Sequence, residues 1–193
     1  GRQSAPLRRD GAGAPPSWRS ARDGPWTDLA AVPPFADGWS CGRLVEPIGG
    51  RNPRDLGRID KISYRPRSTL AGPGGKVWVA SIPDYGMWGG PLSWYDPATG
   101  EKKAYYEVVG EASCYTLAYL SQPDLIAVGT TIQAGSGTTP KVKQAVLFLW
   151  DHKAETKAWE GTMDRPVESF NALLALPDGK LLGTVTGGDK PEL

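Results

Sequence analysis

Short apolar runs bounded by turn residues recur along the last two thirds of the chain, and no amphipathic helix of ten or more residues appears there. The runs at residues 77–79 and 125–128 are continuously apolar, which is typical of strands that are covered on both faces. A tight-turn sequence precedes each run, PGG at residues 73–75 and PD at residues 123–124. Proline fixes φ and the residues after it tolerate positive φ, so these sequences reverse the chain. The pattern predicts an all-β protein.

These apolar runs belong to an internal repeat. Residues 72–81 (GPGGKVWVAS) resemble residues 176–185 (LPDGKLLGTV), and residues 122–130 (QPDLIAVGT) lie between them. A period of this length is typical of stacked supersecondary units. The aligned turn positions are 49 and 55 residues apart, at Gly75, Asp124 and Gly179.

A second element repeats in the same frame. Residues 92–100 (LSWYDPATG) match residues 147–155 (LFLWDHKAE), and both contain an aromatic residue followed by aspartate and a tight turn. We expect a further strand after each turn, at residues 103–109 and 156–159. Units of about 50 residues with three or four strands are typical of propeller blades. The sequence therefore predicts an incomplete β-propeller of about two and a half blades of antiparallel strands.

The composition changes near residue 60. Residues 1–60 contain nine arginines and no lysine, whereas residues 61–193 contain ten lysines and three arginines. The first segment shows neither strand alternation nor helical periodicity. We therefore divide the chain into a largely irregular segment, 1–60, and a partial propeller, 61–193. Three alternatives stay open for the first: a disordered tail, sequence that does not belong to the protein, or a short strand at residues 44–48.

Charge and composition exclude several classes of function. The net charge is +1, which gives no electrostatic argument for nucleic acid or an anionic membrane. No apolar run approaches the roughly 20 residues of a membrane span, and no secretory signal is visible. Cys41 and Cys114 have no metal-ligand spacing, and we expect them not to pair. The one histidine, His152, occupies a turn position that we expect to be exposed, so we expect no metal and no cofactor.

Six segments follow one another closely: residues 64–67 (YRPR), 72–76 (GPGGK), 83–92 (PDYGMWGGPL), 95–100 (YDPATG), 129–140 (GTTIQAGSGTTP) and 145–151 (AVLFLWD). Their order is similar to that of secreted microbial and fungal seven-bladed propeller proteins related to polysaccharide lyases that cut rhamnose–glucuronate linkages. The resemblance covers residues 61–193, under half of such a propeller. It implies a fragment of a secreted protein whose partner is an acidic polysaccharide.

A lyase of uronate polymers must neutralise a carboxylate, remove the adjacent proton and protonate the leaving oxygen. Arg65 and Arg67 are candidates for the carboxylate clamp, because strand alternation would place both on one face of an extended segment. An inter-blade salt bridge or a solvated pair is the alternative. Tyr85, in a glycine-rich loop, is the candidate for proton transfer.

Three further residues are candidates for substrate binding. Trp88 could stack on a sugar ring, or it could pack within its own loop. Gln133 and Lys141 are the most capable side chains of the long polar loop at residues 131–143, which is either a lid or a structural insertion. No GxxxxGK[ST] sequence occurs, so nucleotide binding is not expected.

Three functions therefore compete. The first is a uronate lyase acting by β-elimination, or a piece of one. The second is a non-catalytic propeller module that binds sugar or protein. The third is a truncated gene product without independent activity, which would aggregate. An open arc of blades would expose two apolar faces and be prone to association, so self-association through these faces is a further expectation.

Overall fold

The computed structural model describes residues 43–48 and 51–187. Its first element is a β-hairpin of β1 (Arg43–Ile48) and β2 (Arg51–Arg58). This hairpin lies in the segment that we expected to be largely irregular, and it contains the strand that the third alternative placed at residues 44–48. Residues 1–42, with Cys41, lie outside the described residues. Residues 45–48 and 51–55 of the hairpin belong to a different compact unit from residues 56–187.

The larger unit begins with a four-stranded antiparallel meander in which each strand pairs with the next. Its strands are β3 (Ser63–Ala71), β4 (Val77–Pro83), β5 (Leu92–Tyr95) and β6 (Lys102–Tyr105). A 3-10 turn at Pro73–Gly75 connects β3 to β4, and Gly74 and Gly75 have φ of 72° and 70°. Glycine adopts such angles without a steric penalty, which explains the PGG sequence of this turn.

A second meander of the same kind follows, and then a further strand pair. The second meander contains β7 (Ser113–Leu120), β8 (Leu125–Thr131), β9 (Leu147–Asp151) and β10 (Thr156–Gly161). The pair consists of β11 (Ser169–Ala175) and β12 (Leu181–Thr186). A single bridge, between Ser169 and Thr131, joins this pair to the second meander in the described chain.

The repeated aromatic–aspartate sequence has a local structural role. Asp96 accepts a hydrogen bond from the Ala98 amide through its side chain (2.8 Å), and its carbonyl accepts one from the Gly100 amide (2.8 Å). In the next unit, Asp151 accepts hydrogen bonds from the amides of Lys153 and Ala154 at 2.9 and 3.0 Å. In both units the aspartate therefore closes the hairpin turn between the third and fourth strands.

The first meander, the second meander and the β11–β12 pair form three strand sets. The first strand of each set carries a β-bulge at the same place. The register with the second strand shifts once around Arg67 in β3, once around Tyr115 in β7 and once around Asn171 in β11. β3 has an additional shift around Tyr64. A bulge adds an unpaired residue and locally increases the twist of the strand. The shared bulge confirms at the level of backbone register that the three sets are structural repeats.

The two meanders pack face to face around the main core. Trp78, Leu92 and Trp94 of the first meander belong to one buried cluster with Ile126 and Phe148 of the second. All five side chains are at most 3% exposed, so large apolar surfaces are removed from water on both sheets. In this interface the Tyr105 ring is nearly parallel to that of Trp78 and tilted against that of Trp150. Burial raises the pKa of the Tyr105 hydroxyl to about 12.

The β11–β12 pair packs on the opposite face of the second meander. Ala118, Leu120 and Ala127 are buried there, with Leu173 and Leu181 packed against them. The second meander is therefore covered on both faces, as the continuous apolar sequence of β8 predicts. Its outer strand β10 differs, because residues 156–160 are all exposed.

The structure confirms an all-β chain of antiparallel sheets, with no α-helix among the described residues. The sheets do not close into a ring within residues 51–187. The strands predicted after the hairpin turns are present at Lys102–Tyr105 and Thr156–Gly161, so the first is shorter than expected and the second longer. Cys114 is a free, buried thiol whose pKa burial raises to about 12.

Candidate functional site

Because the strands of a meander alternate in direction, the connections between them lie at two opposite ends of the sheets. The loops that join second to third strands, and those that lead from one set to the next, lie at one end, which we call the loop end. They are residues 84–91, 106–112, 132–146 and 162–168. The short turns between the other strands lie at the opposite end, which we call the turn end. They are residues 72–76, 96–101, 121–124, 152–155 and 176–180.

At the loop end, the two glycine-rich loops are joined by backbone hydrogen bonds. The Gly86 amide donates to the Ser136 carbonyl (3.1 Å), and the Gly135 amide donates to the Met87 carbonyl (2.9 Å). The contact is so close that a Cβ at Gly135 would stand 1.8 Å from the Asp84 carbonyl oxygen. Residues 84–91 and 132–146 thus form one continuous surface, in which the long loop is attached to its neighbour.

Arg65 lies beneath this surface, near the start of β3. Its Nη2 donates to the carbonyl of Ala134 at 3.5 Å. Its Nε is buried and has no hydrogen-bond partner among the described residues. A guanidinium has five N–H donors in a fixed fork, so this side chain retains capacity to bind an acceptor at the loop end.

Arg67 differs from Arg65 in its surroundings. The β-bulge takes Arg67 out of the regular strand alternation, so alternation does not place the two arginines on one face. Arg67 is exposed, and its guanidinium carbon lies 5.6 Å from the centre of the Tyr115 ring. The two arginines therefore contact different groups, the long loop and the neighbouring inner strand.

Tyr85 is the most exposed large aromatic side chain at the loop end, at 62%. Its ring meets that of Tyr64 edge to face, with centroids 5.1 Å apart. The preceding residue, Asp84, accepts the Tyr85 amide proton (2.8 Å) and lies 3.4 Å from the Arg58 guanidinium. The backbone of Tyr85 is thus fixed while its ring is open to solvent, an arrangement suited to contact with a ligand.

Trp88 and Lys141 lie together, and their side chains contact each other. The Lys141 ammonium lies 3.8 Å from the centre of the Trp88 ring and forms an ion pair of 2.5 Å with Glu111. The Trp88 indole N–H donates to the Thr139 carbonyl (2.9 Å). These contacts favour the alternative in which Trp88 packs within the loops and the long loop is a structural insertion.

Gln133 lies in the same loop with an exposed side chain, while its carbonyl accepts a hydrogen bond from the Ser113 hydroxyl at 2.7 Å. Five of the six residues selected from the sequence therefore lie at the loop end or directly beneath it: Arg65, Tyr85, Trp88, Gln133 and Lys141. Arg67 lies further along β3.

The turn end contains a polar cluster that no sequence pattern indicated. Asp124 accepts hydrogen bonds from the Tyr119 hydroxyl (2.6 Å) and the Lys153 ammonium (2.5 Å), and it lies 3.0 Å from His152 Nε2. The bonds from Lys153, Tyr119 and His152 hold the pKa of Asp124 well below its usual range. The His152 side chain is only 11% exposed, so the expectation of an exposed histidine was wrong. The reason is that the ring packs against the adjacent turn, where its Nε2 contacts Asp124.

A cleft of about 650 Å³ also lies at the turn end, between the β7–β8 and β11–β12 turns. Its walls include Gln122 and Asp178 and contain none of the residues selected from the sequence. Only the aligned turns could have indicated this cleft, since turns at equal positions in stacked repeats become neighbours.

The described residues contain no group of His, Cys, Asp or Glu side chains arranged to hold a metal ion. Among these residues there is also no helix with the length and apolarity needed to span a membrane. A scan against protein-family models finds no match for this chain, and a search of curated proteins finds none either.

Proposed function

We propose that residues 61–187 are part of a β-propeller that binds acidic polysaccharide at its loop end. Two features support the propeller: the equivalent register of the three strand sets, and the packing of successive sets face to face. In this proposal β3–β6 and β7–β10 are complete blades, and β11–β12 is the inner half of a third. The register is the stronger support, because the shared bulges are independent of any sequence resemblance.

The observation that carries the binding proposal is that Tyr85 is exposed on the joined glycine-rich loops while Arg65, on β3, contacts the same loops from beneath through the Ala134 carbonyl. A guanidinium binds a carboxylate in bidentate fashion, and an aromatic ring packs against the apolar face of a sugar. A uronate residue offers both a carboxylate and such a face. Loops placed at one end of a rigid sheet scaffold are also the usual location of binding residues.

A β-eliminating lyase is the second candidate, and the exposure of Tyr85 favours it. The Tyr85 side chain is 62% exposed, so its hydroxyl can reach a bound polymer. In elimination, a base removes the proton next to the uronate carboxylate, a C=C bond forms, and the glycosidic oxygen leaves with a proton. An arginine that pairs with the carboxylate stabilises the charge that develops there.

Calorimetric titration of the 193-residue chain with a glucuronate-containing polysaccharide tests binding. We expect saturable, salt-sensitive heat with this polymer and none with a neutral polymer of similar length. Arg65→Ala should weaken binding roughly ten- to hundredfold, because a charged hydrogen bond contributes about 1.5–3 kcal/mol. Tyr85→Ala should also weaken it without a loss of stability, since the ring is largely exposed.

Lys180→Ala is the matched control, because it removes one exposed cation at the turn end. It should leave the titration unchanged. An equal loss of affinity in Lys180→Ala and Arg65→Ala would place binding elsewhere, and the absence of heat with every acidic polymer would overturn the proposal. Ultraviolet absorbance of the unsaturated uronate product then separates the two candidates, since a binding module produces none.

A further inference from the structure

The first strand set differs from the other two at the residue that lies two positions before the shared bulge. In the second and third sets this residue is a serine, Ser113 and Ser169, and both are buried, at 0% and 4% exposure. In the first set it is Arg65, whose buried Nε has no hydrogen-bond partner among the described residues. A buried donor without a partner is unfavourable for folding, so the packing of the repeat does not explain the arginine.

The strand segment just before Arg65 also differs from the repeat. β7 and β11 begin at the equivalent serine, whereas β3 begins two residues earlier, at Ser63. The register of this extension shifts around Tyr64, which gives β3 its additional bulge. Bulges re-aim side chains and occur often beside functional sites. Proteins depart from their own structural regularity mainly at such sites, so the extension of β3 is where we expect function to have altered the repeat.

The two neighbouring residues of this extension reach the two joined loops. The Tyr64 ring meets the ring of Tyr85 edge to face, with centroids 5.1 Å apart. Arg65 Nη2 donates to the carbonyl of Ala134 in the long loop, at 3.5 Å. On a regular strand, neighbouring residues face opposite sides of the sheet, whereas here both reach the same surface. The additional bulge of β3 therefore brings two side chains to the loop end.

The contact with Tyr64 restrains a ring that is otherwise open to solvent. Tyr85 is 62% exposed, and its backbone is held by the bond from its own amide to the Asp84 carboxylate. Backbone bonds do not fix the side-chain torsions of an exposed ring, so a packed neighbour is needed to do so. A ring that is already ordered loses less conformational freedom when a sugar packs against it.

We propose that Tyr64 is a positioning residue, whose ring holds Tyr85 in the orientation that packs against a sugar. In this inference Tyr64 acts through Tyr85, and the additional bulge of β3 is the device that aims it there. The inference rests on the proposed polysaccharide site and deepens it, because it says how the aromatic part of that site is ordered before a ligand binds.

Calorimetric titration with the glucuronate-containing polysaccharide tests whether Tyr64 acts through Tyr85. Tyr64→Ala should weaken binding about three- to tenfold, the factor that corresponds to an edge-to-face aromatic pair. Tyr64→Phe is the matched control, because it keeps the ring, and it should bind like the wild type. In a Tyr85→Ala background, Tyr64→Ala should change the affinity less than about twofold, since no ring is left to position. An equal loss in Tyr64→Phe, or the full additional loss in the double variant, would overturn the inference.

Carbon-13 relaxation of the Tyr85 ring in the ligand-free chain separates this inference from the proposed function. The ring should be ordered on the picosecond to nanosecond timescale in the wild type and in Tyr64→Phe, and mobile in Tyr64→Ala. Equal mobility in all three proteins would overturn the inference, while binding by the wild type would still support the polysaccharide site. If no acidic polymer binds, the proposed function fails and the ligand role of Tyr64 fails with it, even where the relaxation shows that Tyr64 orders the ring.

Discussion

The loop end and the turn end of the meanders are stabilised in different ways. At the loop end, backbone amides and carbonyls join two long loops, and Tyr85 is left open to solvent. At the turn end, short turns are joined by side chains that converge on Asp124. Backbone bonds hold the loops in place and leave the Tyr85 side chain open to solvent, whereas at the turn end the Tyr119, His152 and Lys153 side chains are engaged with Asp124. The same scaffold therefore fixes one end through its backbone and the other through its side chains.

Both ends depend on the core that lies between them, so the largest effect should come from a change there. Phe148→Ala removes a fully buried ring from the cluster that joins the two meanders. We expect a loss of about 3–5 kcal/mol in the free energy of unfolding, from lost burial and the resulting cavity. Urea denaturation measures it. Loss of structure at one end alone would show that the two ends do not share this core.

A smaller, local effect should follow from separation of the two loops. In Gly135→Ala the new methyl group would overlap the Asp84 carbonyl, so the loops must move apart. We expect a loss of about 1–3 kcal/mol in stability, and faster hydrogen exchange of the Gly86 amide, which donates to Ser136. Ser136→Ala is the control, because it keeps that backbone bond. Unchanged exchange in Gly135→Ala would contradict the rigid attachment of the loops.

The turn end should instead be sensitive to pH. The pKa of Asp124 is lowered in the folded protein, so its contribution is complete above the unfolded value of about 3.9 and is lost as pH falls through the folded pKa. Asp124→Asn removes the charge, and asparagine tolerates the φ of 67° at this position. The melting temperature of the variant should lie below that of wild type at neutral pH, and the difference should shrink below about pH 4.

The smallest effect is expected from Asp178→Asn, the same substitution in the β11–β12 turn. Among the described residues the Asp178 side chain bonds with Lys180 alone, and both side chains are largely exposed, at 52% and 76%. Exposed ion pairs contribute little to stability. The melting temperature should stay within experimental error of wild type at neutral pH. Equal losses in Asp178→Asn and Asp124→Asn would show that the Asp124 cluster has no special role.

Much of the fold could be predicted from local sequence, because its signals act over a few residues. The turns at Gly75, Asp124 and Gly179, and the aspartates at positions 96 and 151, determine where the chain reverses. The hairpin of β1 and β2 was harder to predict. Its sequence has no alternation, and only residues 44–48 suggested a strand.

The candidate site could be predicted in position but not in detail. Loops between strands of a repeat lie together at one end, so the meander order alone predicts that Tyr85, Trp88 and Lys141 lie at the same end. The sequence could not show that Lys141 covers Trp88 and pairs with Glu111, since these contacts join three separate loops. Nor could it show that a bulge removes Arg67 from the alternation of β3.

The sequence by itself determined the strands, the turns and the repeat, because hydrophobic pattern and turn chemistry are properties of neighbouring residues. Tertiary structure alone decided which equivalent surfaces are covered. Ala118 and Leu174 occupy the same place in their strand sets, yet one is buried and the other is 58% exposed. Burial depends on what packs against a surface from elsewhere in the fold, and no local pattern contains that information.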